Sequence, residues 1–156
     1  MDVKTHWKGN MTFEAVADSN KPIIMDSPTS AARLLGPAPM EMIAFGMAGC
    51  TAMDVISILA KKKQDVTDFD VILHADRAGE HPKVFTRVTM EYQLTGHAID
   101  EASVVRAIEL STQKYCPAHA MMRQVFPISQ RYIIFEEEGQ GARRVVAEGS
   151  YSLEGE

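Results

Sequence analysis

Two cysteines are the residues of this chain best suited to chemistry, and their settings differ. Cys50 lies midway along an apolar run, Met47-Ala48-Gly49-Cys50-Thr51-Ala52-Met53-Asp54. Cys116 ends a helix-like segment and is followed at once by proline, in Gln113-Lys114-Tyr115-Cys116-Pro117-Ala118-His119. Three readings are open: two core residues, one structural bridge, or a reactive thiol with its resolving partner. If a helix begins at Pro117, proline fills the first helical position, where its missing N–H costs nothing, and Cys116 stands at the cap. Unpaired backbone N–H groups and the positive end of the dipole would then lower the thiol's pKa and favour the thiolate. Cys50 sits inside a helix, with Met47, Asp54 and Ser57 on the same face, and a neighbouring Asp54 raises a thiol's pKa. Any activation of Cys50 must come from elsewhere in the fold.

Other chemistry is thinly represented. The five histidines, His6, His74, His81, His97 and His119, show no ligand spacing with one another or with the cysteines, so no metal site is expected. His119 follows Cys116 by three residues and could face it on a short helix. No glycine pattern for a dinucleotide or phosphate is present, and no cofactor is expected. At 156 residues with 46% hydrophobic content, the chain reads as one domain, 1–156, with a core large enough to fold without disulfides or metal. Its net charge of −5 argues against nucleic acid and against anionic membranes. The polar start Met1-Asp2-Val3-Lys4-Thr5-His6-Trp7 is unlike a signal peptide, which makes the cytoplasm the expected location. A permanent disulfide is not expected there, whereas a transient one is allowed.

The elements that must position the cysteines follow from pattern. Val3 to Trp7 and Met11 to Val16 alternate around the turn dipeptide Gly9-Asn10, with a third strand at Pro22 to Met25 and a loop over Ser27 to Pro39. Met40 to about Lys63 reads as one long helix, with Glu41 in its first turn and Lys61-Lys62-Lys63 in its last. It is apolar nearly all round. Glu41, Asp54, Gly46 and Gly49 interrupt it and no interfacial belt flanks it, so burial by a partner chain is expected rather than a membrane span. Strands at Phe69–Ala75 and Val84–Leu94, a helix from Glu101 to Tyr115 capped by Asp100, a short helix from Pro117 to Val125, and a hairpin of Ile128–Glu136 and Arg143–Ser152 complete an α+β chain with largely antiparallel sheet.

The run Pro39-Met40-Glu41-Met42-Ile43-Ala44-Phe45-Gly46-Met47-Ala48-Gly49-Cys50-Thr51-Ala52-Met53-Asp54-Val55, with Lys114-Tyr115-Cys116-Pro117 downstream, resembles the OsmC/Ohr family of osmotically inducible and organic hydroperoxide resistance proteins. Within it, the Met40-Glu41 start is most similar to a YhfA-like branch. The resemblance implies an intertwined homodimer with long central helices back to back, wrapped by antiparallel sheets. It also implies thiol-dependent reduction of organic hydroperoxides, with Cys50 as the attacking thiolate, Cys116 as the resolving cysteine and a dithiol as reductant. A non-catalytic ligand-binding or redox-sensing dimer is the alternative.

In the family's peroxidases an arginine near the N-terminal hairpin and a glutamate directly after the proline activate the first cysteine. Residues 1–32 here contain no arginine, and Met40 stands at the glutamate position. Arg33 and Glu41 are therefore the candidates for tuning Cys50. Glu41 precedes Cys50 by nine residues, roughly 13–14 Å along a straight helix and on the opposite face.

Overall fold

The structure is a computed structural model that describes residues 1–27, 33–139 and 141–151. The expected loop at 28–32, Gln140 of the hairpin turn and Ser152 of the last strand lie outside the described residues. The chain divides into two compact units, Met1–Phe45 and Gly46–Glu156.

The first unit is an antiparallel meander of β1 (Val3–Gly9), β2 (Thr12–Ala17) and β3 (Ile23–Met25). Gly9 and Asn10 take positive φ, 107° and 48°, as the turn dipeptide predicts, and the Trp7 indole donates to the Asn10 carbonyl at 2.8 Å. The third strand starts one residue later than expected, after Pro22. Val3, Trp7, Phe13 and Ile23 are exposed in the chain taken alone. Asp26 is buried, and its carboxylate accepts the backbone N–H groups of Ser27 and Leu35.

The long helix α1 (Pro39–Lys61) begins in the first unit and runs into the second. It stops two residues before the expected end, because Lys63 takes a left-handed φ of 57°. In the second unit Met47, Thr51, Val55 and Leu59 recur every four residues and are buried. The opposite side is open: Gly46, Met53, Ile56 and Ala60 are exposed and Gly49 half-exposed. Among the described residues α1 is the one helix long and apolar enough to cross a membrane, and about a fifth of its apolar window, 22%, is buried within the chain.

Four strands form the second sheet in the order β4 (Asp65–Arg77), β5 (Phe85–His97), β6 (Ile128–Glu137) and β7 (Arg143–Tyr151). β4 and β5 extend beyond their apolar centres because backbone pairing continues through polar ends. The β4–β5 and β6–β7 pairs are antiparallel, but β5 and β6 are parallel. The intervening helices carry the chain back across the sheet, as a parallel pair requires. Val88, Met90, Tyr92 and Leu94 alternate along β5 into the core, which also holds Ile128, Tyr132 and Ile134 of β6 and Val104, Ala107 and Ile108 of α2 (Glu101–Leu110). Gly96 is fixed by a close approach, since a Cβ there would run into the Asp65 carbonyl oxygen.

Asp100 caps α2 as expected, accepting the Ser103 N–H at 2.9 Å, and the Ser103 hydrogen bonds hold its carboxyl below the usual range. The helix expected to run to Tyr115 instead becomes a π turn at Ser111–Tyr115, closed by Cys116 N–H donating to Ser111 C=O at 2.8 Å. The last helix, α3 (Pro117–Met122), ends before the expected Val125 and passes into a turn over 123–125, with the Val125 N–H donating to the Met122 carbonyl at 2.9 Å.

Candidate redox site

The 66 residues between the cysteines close in space. Cys116 Sγ lies 3.0 Å from Cys50 Sγ, with the Cys116 S–H donating. Both cysteines are free. A disulfide would put the sulfurs about 2.05 Å apart, so the pair is reduced and about one ångström from bonding distance. Cys50 is half-buried on α1, while Cys116 is buried at the junction of the π turn and α3.

Pro117 occupies the first turn of α3 and Cys116 caps it, its sulfur accepting the His119 N–H at 3.3 Å. The expected lowering of the Cys116 pKa is nevertheless overturned. Burial pushes this thiol up to about 12, helped by its hydrogen bond to Cys50 and by the negative charges of Cys50 and Asp54. One N–H from a six-residue helix opposes these effects and loses. Cys116 therefore holds its proton more tightly than an ordinary thiol does.

A pH dependence follows. A thiol whose folded pKa is raised holds its proton more tightly in the native state, so its contribution is complete below the unfolded value of about 9 and declines as pH rises toward 12. Tyr132, pushed up to about 12 by its hydrogen bond to Glu101, and Tyr92, pushed up by burial, act in the same direction. The melting temperature is therefore expected to hold between pH 7 and 8.5 and to fall progressively above pH 9. Scanning calorimetry of the reduced protein against pH checks this, and Cys116→Ser should delay the onset of the fall.

A chain of polar side chains lies behind the thiols. Ser111 Oγ donates to Asp54 Oδ2 at 3.0 Å and lies 3.0 Å from Thr51 Oγ1. Thr51 Oγ1 is 2.9 Å from Tyr92 OH, which lies 2.9 Å from Gln130 Oε1. Gln130 Nε2 is 3.3 Å from His119 Nε2. Thr51, Ser111, Tyr92, Gln130 and His119 are all buried, so each hydrogen bond matters more than it would in water. Asp54 is half-buried and borders a groove of about 280 Å³ lined also by Ile58, Lys61, Leu110 and Tyr115.

Of the expected site residues, Cys50 and Cys116 meet. Glu41 and Arg33 belong to the first unit. The Glu41 carboxylate reaches back to the Ala38 N–H at 2.7 Å, the reciprocal half of a capping box at the start of α1. Arg33 is exposed. Among the described residues no group of three or more His, Cys, Asp or Glu side chains could hold a metal. Thr51, Tyr92, Ser111 and Gln130 escape a reading of the sequence. A signal was present for two of them: Tyr92 and Gln130 occupy core-facing positions of alternating strands, and a polar group there must find a partner.

A family model described as OsmC-like protein matches residues 30–130, a span that includes both cysteines. The chain is 36% identical to Protein YhfA of Escherichia coli (strain K12) over 132 residues, 85% of this chain and 96% of that protein. Among solved structures, a hypothetical protein from Aquifex aeolicus VF5 has a TM-score of 0.77 at 26% identity, covering 88% of this chain and 97% of the other. An organic hydroperoxide resistance protein OsmC from Legionella pneumophila aligns with a TM-score of 0.61 over 85% of this chain and 94% of its own. At 14% identity, that likeness concerns the fold alone.

Proposed function

The chain belongs to the family of OsmC-like proteins, and from that premise we propose that it is a cytoplasmic thiol peroxidase acting on organic hydroperoxides. Family membership points to a stress- or redox-related role. The finer reading rests on one observation above all: the Cys116 S–H is donated to the Cys50 sulfur at 3.0 Å. That contact places a buried second thiol against Cys50, the half-buried and more accessible sulfur of the two.

The steps balance as follows. The Cys50 thiolate attacks the terminal oxygen of the hydroperoxide, the O–O bond breaks, and the alkoxide leaves and takes up a proton to become the alcohol. Cys50 is then a sulfenic acid. The Cys116 sulfur attacks Cys50 Sγ, a disulfide forms, and the hydroxide leaves as water with the Cys116 proton. A dithiol reductant restores both thiols by exchange.

The working form is a homodimer, each copy a single OsmC-like domain over 1–156. Gly46, Gly49, Met53, Ile56 and Ala60 follow a three-four spacing along the uncovered side of α1, which is the seam by which one helix packs against another. A side chain built at Gly46 or Gly49 meets nothing in the chain itself, leaving room for a second helix to approach. A second copy supplies that helix.

A turnover assay tests the reading. With excess dithiothreitol, the protein is expected to consume cumene hydroperoxide catalytically and to consume it faster than hydrogen peroxide. Absence of turnover by the fully reduced protein would overturn the peroxidase assignment.

A further inference from the structure

The polar side chains behind the thiols form a closed circuit that begins and ends at Cys116. Its backbone N–H donates to Ser111 C=O at 2.8 Å. Ser111, Thr51, Tyr92, Gln130 and His119 follow in turn through the side-chain contacts described above, at 2.9 to 3.3 Å. The His119 backbone N–H then returns to the Cys116 sulfur at 3.3 Å. Thr51 is the residue after Cys50. The circuit therefore joins the α1 backbone beside one thiol to both sides of the other, through strands β5 and β6 of the sheet.

Proton supply fixes the direction at the two ends of this circuit. The Asp54 carboxylate only accepts, so Ser111 donates to it at 3.0 Å and its own oxygen is left as the acceptor toward Thr51. With Gln130 Oε1 toward Tyr92, three hydroxyl protons serve the four contacts from Asp54 to Gln130. The Tyr92 O–H donates to Gln130 Oε1 at 2.9 Å, so the single Thr51 proton serves one of its two contacts, with Tyr92 or with Ser111. Buried hydroxyls linked in this way restrict one another's positions.

We propose that Thr51, Tyr92, Ser111 and Gln130 are positioning residues whose closed hydrogen-bond circuit holds the Cys116 sulfur against Cys50 and sets how readily the disulfide closes. None of them touches substrate. Their effect is on geometry: disulfide closure needs the second sulfur in line with the bond it displaces, and misplacement by about an ångström costs such a reaction up to a hundredfold. The inference rests on the reading above only in taking Cys50 and Cys116 as a redox pair.

Equilibration with glutathione measures this without any hydroperoxide. The Cys50 thiolate attacks oxidised glutathione and releases one glutathione thiolate. Cys116 then displaces the second glutathione from the mixed disulfide, giving the internal disulfide, and its proton passes to a released thiolate. Mass spectrometry of acid-quenched samples across a series of reduced-to-oxidised glutathione ratios gives the effective concentration of one thiol toward the other. Thr51→Val and Tyr92→Phe are each expected to lower it at least about tenfold, whereas Thr51→Ser, which keeps the hydroxyl, stays within about twofold of the parent chain. Thr89→Val removes a hydrogen bond to Ser129 on the exposed face of β5 and should change nothing.

If Tyr92→Phe fails to fold, Gln130→Leu and Ser111→Ala interrupt the same circuit. Equal losses for Thr51→Val and Thr51→Ser, or none in the folded circuit variants, would overturn the positioning role and leave the redox pair intact. A parent chain that forms only mixed disulfides with glutathione would instead overturn the pair, and this inference with it.

Discussion

Replacing Cys50 by serine is expected to abolish oxidation of the chain by an alkyl hydroperoxide, with a fall of at least about a thousandfold in the rate of thiol loss. A serine hydroxyl at neutral pH is neither ionised nor soft enough to break the O–O bond, and the remaining Cys116 is a poor substitute. Burial, the largest cause of its raised pKa, and the charge of Asp54 both persist without the Cys50 sulfur, and the Cys116 sulfur is shielded from solvent. Cys116→Ser should fail differently. Its first step survives within about tenfold, because a serine hydroxyl can still donate to the Cys50 sulfur, but no resolving thiol remains. Cys50 then accumulates as a sulfenic acid that dimedone captures and that excess peroxide drives on to sulfinic acid. Stopped-flow oxidation followed by thiol counting separates the two variants. Fast thiol loss in Cys50→Ser would assign the attack to Cys116 and invert the roles.

The second large effect concerns assembly. Met53 is 72% exposed in the chain alone and stands at the centre of the three-four seam on α1. Met53→Glu leaves the core residues Met47, Thr51, Val55 and Leu59 untouched, because they face the other way. In a dimer it sets two uncompensated carboxylates against an apolar helix pair, a cost of about 3–5 kcal/mol for a charge buried without a partner. The dissociation constant should rise at least about a hundredfold, a change that light scattering detects as a fall toward the monomer mass. A variant that remains a dimer at micromolar concentration would show that α1 is not the seam.

Much of the fold is legible in local pattern. The apolar run of α1, the Gly9-Asn10 turn, the Asp100 cap and the proline after Cys116 each reflect interactions within a few residues, and these elements appear close to where those interactions put them. The parallel pairing of β5 with β6 is different, since it is set by where the crossover returns the chain. The π turn at Ser111–Tyr115 also escapes, because its apolar spacing is that of an ordinary helix up to Leu110 and only packing reveals the extra residue in the turn.

The site divides in the same way. Both cysteines are visible in the sequence, and their local settings suggest that Cys116 is the more activated. Tertiary burial overturns that expectation for Cys116. A favourable N–H at the cap is a contact three residues away, whereas the loss of water around the sulfur and the nearness of the Asp54 charge arise only once the chain has folded. Thr51, Tyr92, Ser111 and Gln130 are spread over nearly eighty residues and carry no motif. Their relation exists only once four elements are packed. Glu41, by contrast, follows Ala38 by three residues, and its capping role is readable from that spacing.

The central claim is that Cys50 and Cys116 form one redox pair driven by an organic hydroperoxide. The most direct measurement is the intact mass of the reduced protein after one equivalent of cumene hydroperoxide, recorded under non-reducing conditions. A loss of about 2 mass units per chain, complete within seconds and reversed by dithiothreitol, is the predicted result, since the internal disulfide removes two hydrogens. An unchanged mass after minutes in excess hydroperoxide would contradict it.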